Sequence, residues 1–150
     1  MNNDFRDLYQ EEILEHSNHP RNFRTIEGAS VSTEGLNALC GDQMTLDVQF
    51  DGDVIQDIAF RGIGCAISKA SSSLMTTAVK GKTKAEALTL FEQVHTMLTV
   101  GPSADVHPED LGKLAVLSGL WEYPMRIKCA TLGWYTLRDA LESPPQEGKR

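Results

Sequence analysis

The order of elements in this 150-residue chain predicts an α+β domain: a β-hairpin buried on one face comes first, and helices of amphipathic spacing follow it. Met44, Leu46, Val48 and Phe50 alternate with polar residues, "DGD" at 51–53 supplies a turn, and Val54, Ile58 and Phe60 form a second alternating face. A "TKAE" capping box at Thr83–Glu86 then opens a run in which Leu88, Phe91, Val94 and Leu98 recur at helical spacing, predicting a helix over 84–99. No repeat and no linker divides the chain, so one domain is expected, of a size that buries about 68–70% of the unfolded chain's surface.

The remaining elements fill in around these. Phe5, Leu8, Tyr9 and Ile13 share one face of a helix over 4–16, with Asn2, Asn3 or Asp4 available as its cap, and "HSNHPRNF" breaks it. Residues 30–39 mix short polar and apolar side chains without a clear period, which suits a loop or an edge strand. After Cys65 a helix rich in small residues runs until Gly81. Pro108 with Glu109 and Asp110 opens a short helix through Leu111, Leu114 and Leu117, closed by Gly119. "LWEYPMRIK" reads as a loop, after which Cys129 opens a last helix with Leu132, Tyr135 and Leu137 turned inward. The domain is expected over 1–142, with 143–150, "SPPQEGKR", a disordered tail.

Charge and hydropathy exclude several functions. The net charge is −7 and no Lys/Arg cluster stands against it, so nucleic acid and anionic membranes are repelled. No run of 18 apolar residues occurs and the first residues are acidic and polar, so neither membrane insertion nor export is signalled and a cytoplasmic location is expected. Three cysteines in a reducing compartment stay thiols.

Those thiols carry the chemistry. Cys40 precedes a strand, Cys65 follows two glycines at a strand-to-helix corner, and Cys129 precedes the last helix. A helix N-terminus favours thiolate over thiol, and Arg126 and Lys128 are expected to push Cys129 the same way. A single free cysteine is commonly just a small buried hydrophobe. Three at element boundaries, beside Gly41, Gly62, Gly64 and Lys128, argue against that reading. Spacings of 25 and 64 residues exclude the paired hooks of zinc ribbons, so any shared site must be assembled by the fold. Asp42 reads in two ways: as a turn carboxylate accepting backbone N–H groups, or as a partner of Cys40, since residues two apart in extended backbone face the same side. Three thiolates and a carboxylate suit tetrahedral zinc, or the iron atoms of a small cluster. His16, His19, His95 and His107 are scattered and are expected to pack or to bond locally rather than to bind metal; Trp121 and Trp134 read as packing anchors.

"HPRN" (19–22), "CGD" (40–42), "DGDVIQDIAFRGIGCAISKASSSLM" (51–75) and "RIKCATLGW" (126–134) together resemble the U-type iron–sulfur cluster assembly proteins over roughly residues 5–142. Lys128, where IscU-like members have His before the last cysteine, and the extended segment 100–124 resemble the SufU branch. The "LPPVK" chaperone motif of the IscU group is absent, and Ala38 stands where relatives often have Pro. The resemblance implies a small, mostly antiparallel sheet with helices packed on one face. It also implies zinc held by Cys40, Asp42, Cys65 and Cys129, and a partner, a pyridoxal-phosphate cysteine desulfurase of the SufS type. Cys40 would accept persulfide sulfur catalytically, and the sulfur would pass to downstream Fe–S assembly proteins. Arg126 and Lys128 read either as cations that steer the anionic persulfide or as solvated surface charges. The other role the thiols suit is a scaffold on which a transient [2Fe–2S] cluster is built and transferred.

Overall fold

The computed structural model describes residues 11–38, 41–100 and 108–142, apart from the side chains of 108–110, 121 and 122. Strands β1 (Val31–Asn37), β2 (Asp42–Asp51) and β3 (Val54–Ile63) form an antiparallel sheet in the order β1-β2-β3. The ambiguous stretch 30–39 is therefore an edge strand through Asn37. The expected hairpin is present, turning at Gly52 with φ 62°, a left-handed conformation that glycine adopts without steric cost. Helix α1 covers 11–18 of the described residues, and the part expected over 4–10 lies outside them, as does the 143–150 tail. Helix α2 is Ala66–Val79, α3 is Lys84–Thr99, and α4 is Pro124–Glu142.

Pairing register decides which side chains meet the helices. Val31, Thr33, Gly35 and Asn37 on β1 oppose Val48, Leu46, Met44 and Asp42 on β2, and Val48, Leu46 and Met44 in turn oppose Ile58, Phe60 and Gly62 on β3. Leu46, Val48 and Ile58 are completely buried on this face beneath α2 and α4. Helix α4 lies close over β1 because Gly35 has no Cβ: one built there would clash with the Thr136 hydroxyl and approach Leu132. The opposite face is spanned by the chain after α1, where Asp47 accepts from the Ile26 N–H, the Ser32 hydroxyl and Arg61.

The small residues of α2 serve its crossing with α4. Ser71 donates to the Ala130 carbonyl at 2.7 Å, and a Cβ on Gly133 would come 2.4 Å from the Ser72 hydroxyl. The α3 capping box is present, with Thr83 and Glu86 each accepting the other's backbone N–H. The "HPRN" turn is held between α2 and β3. Asn22, at φ 59°, donates to Thr76 through its side chain, and its carbonyl accepts from the Phe60 N–H.

Three expectations need correction. The segment after Pro108 is a set of 3₁₀ turns spanning Pro108–Glu122, interrupted at Gly112 rather than closed at Gly119. After the break, three residues per turn aligns Leu114, Leu117 and Leu120, all buried, on one side, so their spacing served this tighter helix; Leu111, before the break, is buried as well. Helix α4 begins at Pro124, so "YPMRIK" is largely helical and Cys129 lies in its second turn instead of opening it. Proline's fixed φ and missing N–H suit a first helical position, the signal that the loop reading overlooked. Finally, Tyr135 does not turn inward: it is 36% exposed, with its hydroxyl 2.7 Å from His95 Nε2, while Trp134 is buried.

His16 ties α1 to α2 through a 2.7 Å hydrogen bond between Nδ1 and the Ser73 hydroxyl. Burial and then the charge of Arg21 lower its pKa from the ordinary 6.5. A base with a lowered folded-state pKa contributes stability that is present above 6.5 and lost as pH falls below it. The urea midpoint is expected to drop below pH 6.5 by more in the native chain than in His16→Gln, measured by circular dichroism. Gly62→Ala should be costlier at every pH, by about 1–3 kcal/mol, because its Cβ would strike the Gln43 carbonyl oxygen on the adjacent strand.

Candidate metal centre

At the end of the sheet's covered face, one strand and two helices bring three donor side chains together. Asp42 is the first residue of β2, Cys65 is the N-cap of α2, and Cys129 lies in α4. One carboxylate oxygen and the two sulfur atoms all lie within 4.8 Å of one another.

Each donor is placed by a local cause. The chain leaves β3 through Gly62 and Gly64, and a Cβ on Gly64 would come 3.0 Å from Asp42 Oδ1. The Cys65 N–H can therefore donate to Asp42 Oδ1 at 3.0 Å, joining the start of β2 to the start of α2. Cys65 Sγ accepts the Ser68 N–H at 3.4 Å, as an N-cap side chain does, so the helix amides point at sulfur. Cys129 is delivered by the α2–α4 crossing, with Ala130 bonded to Ser71 and Gly133 against Ser72. From Thr136 over Gly35, seven residues of α4 run back about 10 Å to Cys129, while β2 advances about 7 Å from Met44 to Asp42.

The turn-carboxylate reading of Asp42 holds, since the carboxylate accepts a backbone N–H, and the carboxylate also stands in one group with Cys65 and Cys129. The extended-backbone argument for Cys40 does not survive, because Gly41 has φ 71° and turns the chain between them. Cys40 itself lies outside the described residues. Arg126 and Lys128 are exposed on the first turns of α4, and the Arg126 guanidinium sits 5.0 Å from the centre of the Tyr123 ring. Of the two cysteines expected at helix N-termini, Cys65 is found there as the cap of α2, whereas Cys129 lies in the second turn of α4. None of His16, His19 or His95 joins the donor group, and His107 lies outside the described residues.

Sequence reasoning missed one neighbour. Asn37 opposes Asp42 across β1 and β2, and its Nδ2 is buried without a hydrogen-bond partner among the described residues. Its position in a stretch of uncertain register hid it.

The donor set fits a thiophilic divalent cation. Asp42 is 1% exposed, yet its Oδ2 has no hydrogen-bond partner among the described residues. A buried carboxylate with one oxygen left open, in a group with two thiols, is a liability that a cation removes. Mixed sulfur and oxygen donors at this spacing suit zinc.

A fold and site of this kind define a class. A model of the NifU-like N-terminal domain matches residues 8–130, and the chain belongs to that family. It is 42% identical to the iron–sulfur cluster assembly scaffold protein IscU of Streptococcus pyogenes serotype M1, over 90% of this chain and 83% of that one. With the zinc-dependent sulfurtransferase SufU of Bacillus subtilis it shares 38% identity over 89% of each chain. Among solved structures, a candidate iron–sulfur cluster assembly scaffold protein for the SUF system from Fervidobacterium islandicum superposes with a TM-score of 0.82 at 39% identity, covering 88% of this chain and 95% of that one.

Removing the carboxylate tests the centre directly. Asp42→Ala should weaken zinc binding about 100-fold or more, read by competition with a chromogenic chelator.

Proposed function

We propose that the chain is a zinc-bearing sulfur relay of the SufU kind, accepting persulfide sulfur from a SufS-type cysteine desulfurase and passing it to iron–sulfur cluster assembly. The observation that carries this reading is the approach of Asp42, Cys65 and Cys129 within 4.8 Å, with one carboxylate oxygen left open. Similarity to a relative named a zinc-dependent sulfurtransferase supports it. In this reading Cys40, two positions before Asp42 in the sequence, joins the three as fourth ligand and is the acceptor.

Bound zinc supplies a positive charge that keeps its thiolate ligands deprotonated and shielded. The chain's own groups do the rest. Asp42, held through Oδ1 by the Cys65 N–H, stays in place when Cys40 is released. The Cys40 thiolate attacks the terminal sulfur of the desulfurase persulfide. A sulfur–sulfur bond forms on Cys40, that on the desulfurase breaks, and the desulfurase cysteine leaves as thiolate, with no net oxidation. The exposed cations Arg126 and Lys128 attract the anionic persulfide. The relay works in the cytoplasm, where thiols persist.

A second reading, a scaffold that builds and transfers a [2Fe–2S] cluster, is favoured by the 42% identity to a relative named IscU. Metal content separates the two. Protein purified without added zinc or iron should carry zinc and be colourless; a brown chromophore that resists zinc competition would favour the scaffold. Persulfide labelling after mixing with desulfurase and cysteine should mark the native chain, and Cys40→Ala should lose both the label and stimulation of desulfurase turnover. Stimulation by Cys40→Ala equal to the native chain's would reject the relay.

A further inference from the structure

We infer that Asn37 is a positioning residue of the metal centre, its side-chain amide donating to the Asp42 carboxylate when a cation holds that carboxylate in place. The inference deepens the zinc reading and rests on it.

Two unpaired atoms carry it. Asn37 Nδ2 and Asp42 Oδ2 are a buried donor and a buried acceptor, neither with a partner among the described residues. They belong to residues that oppose each other directly at the end of the β1–β2 pair. Side chains so opposed leave the same face of the sheet, with Cβ atoms about 4.5–5.5 Å apart. Asn37 therefore shares the face on which Asp42 approaches Cys65 and Cys129. A buried amide donor left open disfavours the fold, and in a native protein such a group calls for a partner or a functional reason.

The chemistry of Asp42 supplies the reason. Its Oδ1 is already anchored by the Cys65 N–H, leaving Oδ2 for the cation. A carboxylate oxygen has two lone pairs, so Oδ2 can bind a cation with one and accept an amide N–H with the other. Metal-ligating carboxylates are commonly hydrogen-bonded in this way, which fixes their orientation. Asn37 thus acts through Asp42 and need not touch the metal. An apolar residue at 37 would leave Asp42 anchored on one side only. An aspartate there would set two carboxylates against each other.

Zinc affinity of the purified chain, measured by competition with a chromogenic chelator, is compared with the thermal midpoint of the metal-free protein. Asn37→Leu is expected to weaken zinc binding about tenfold, while its metal-free midpoint stays level or rises, because a buried donor without a partner has been removed. Asn37→Ala, which adds no volume, should repeat the loss of affinity if the leucine is poorly accommodated. Asn37→Asp keeps the shape but exchanges the donor for a charge, and should also bind zinc more weakly. Native-like zinc affinity in both Asn37→Leu and Asn37→Ala overturns the inference. So does tighter binding by Asn37→Asp, which would make residue 37 an oxygen ligand. Loss of metal-free stability in step with affinity in both apolar variants would mark a purely structural side chain and overturn it as well. A native chain that takes up no zinc defeats the zinc reading itself, a result distinct from any of these.

Discussion

One hydrogen bond, from the Cys65 N–H to Asp42 Oδ1, holds the candidate centre together. It joins the first residue of β2 to the cap of α2, two points that the hairpin and the corner after β3 separate by 23 residues. Without it, a carboxylate that is 1% exposed would be buried with no described partner on either oxygen. With it, one oxygen is satisfied by the backbone and the other is left open. The glycines of the corner are part of this constraint, because Gly64 lies where a Cβ would crowd the carboxylate.

The third donor depends on how closely two helices can pack. Leucine-sized side chains at the α2–α4 contact would hold the axes at ordinary distance and keep Cys129 away from Cys65. Ser71, Ser72 and Gly133 bring them nearer, and the serine hydroxyls, buried in the process, find Ala130 O and Met44 Sδ. The polarity of α2 is thus compatible with its burial at this crossing, since the Ser71 and Ser72 hydroxyls each have an acceptor. Gly35 performs the same service where α4 crosses β1.

Asp42 and Cys129 are buried while Cys65 is exposed, so the buried carboxylate is the costly member of the group unless positive charge arrives to offset its desolvation. That makes the centre responsive to what occupies it. Asp42 is carried by a strand and Cys129 by a helix, whereas Cys65 caps α2 from the corner after β3. The same donor group suits both proposed readings, a relay that exposes one thiol and a scaffold that releases a cluster.

Local features were legible along the chain because their causes are local. The hairpin showed in a two-residue alternation, α3 in its capping box, and Cys65 at the head of a helix in the glycines before it and the small residues after it. The gathering of cysteines at element boundaries pointed to a shared site, and the resemblance across four motifs pointed to the family. Helix α4 was misread because an aromatic-proline pair serves a loop or a helix start equally well, and packing chose the latter. Distances between Asp42, Cys65 and Cys129, and the opposition of Asn37 to Asp42, arise from strand register and helix crossing. These are set by contacts between residues tens of positions apart. The chain alone thus determined which donors exist and which elements carry them, whereas only the tertiary structure decided which of them meet, because no local rule fixes how closely two helices cross a sheet.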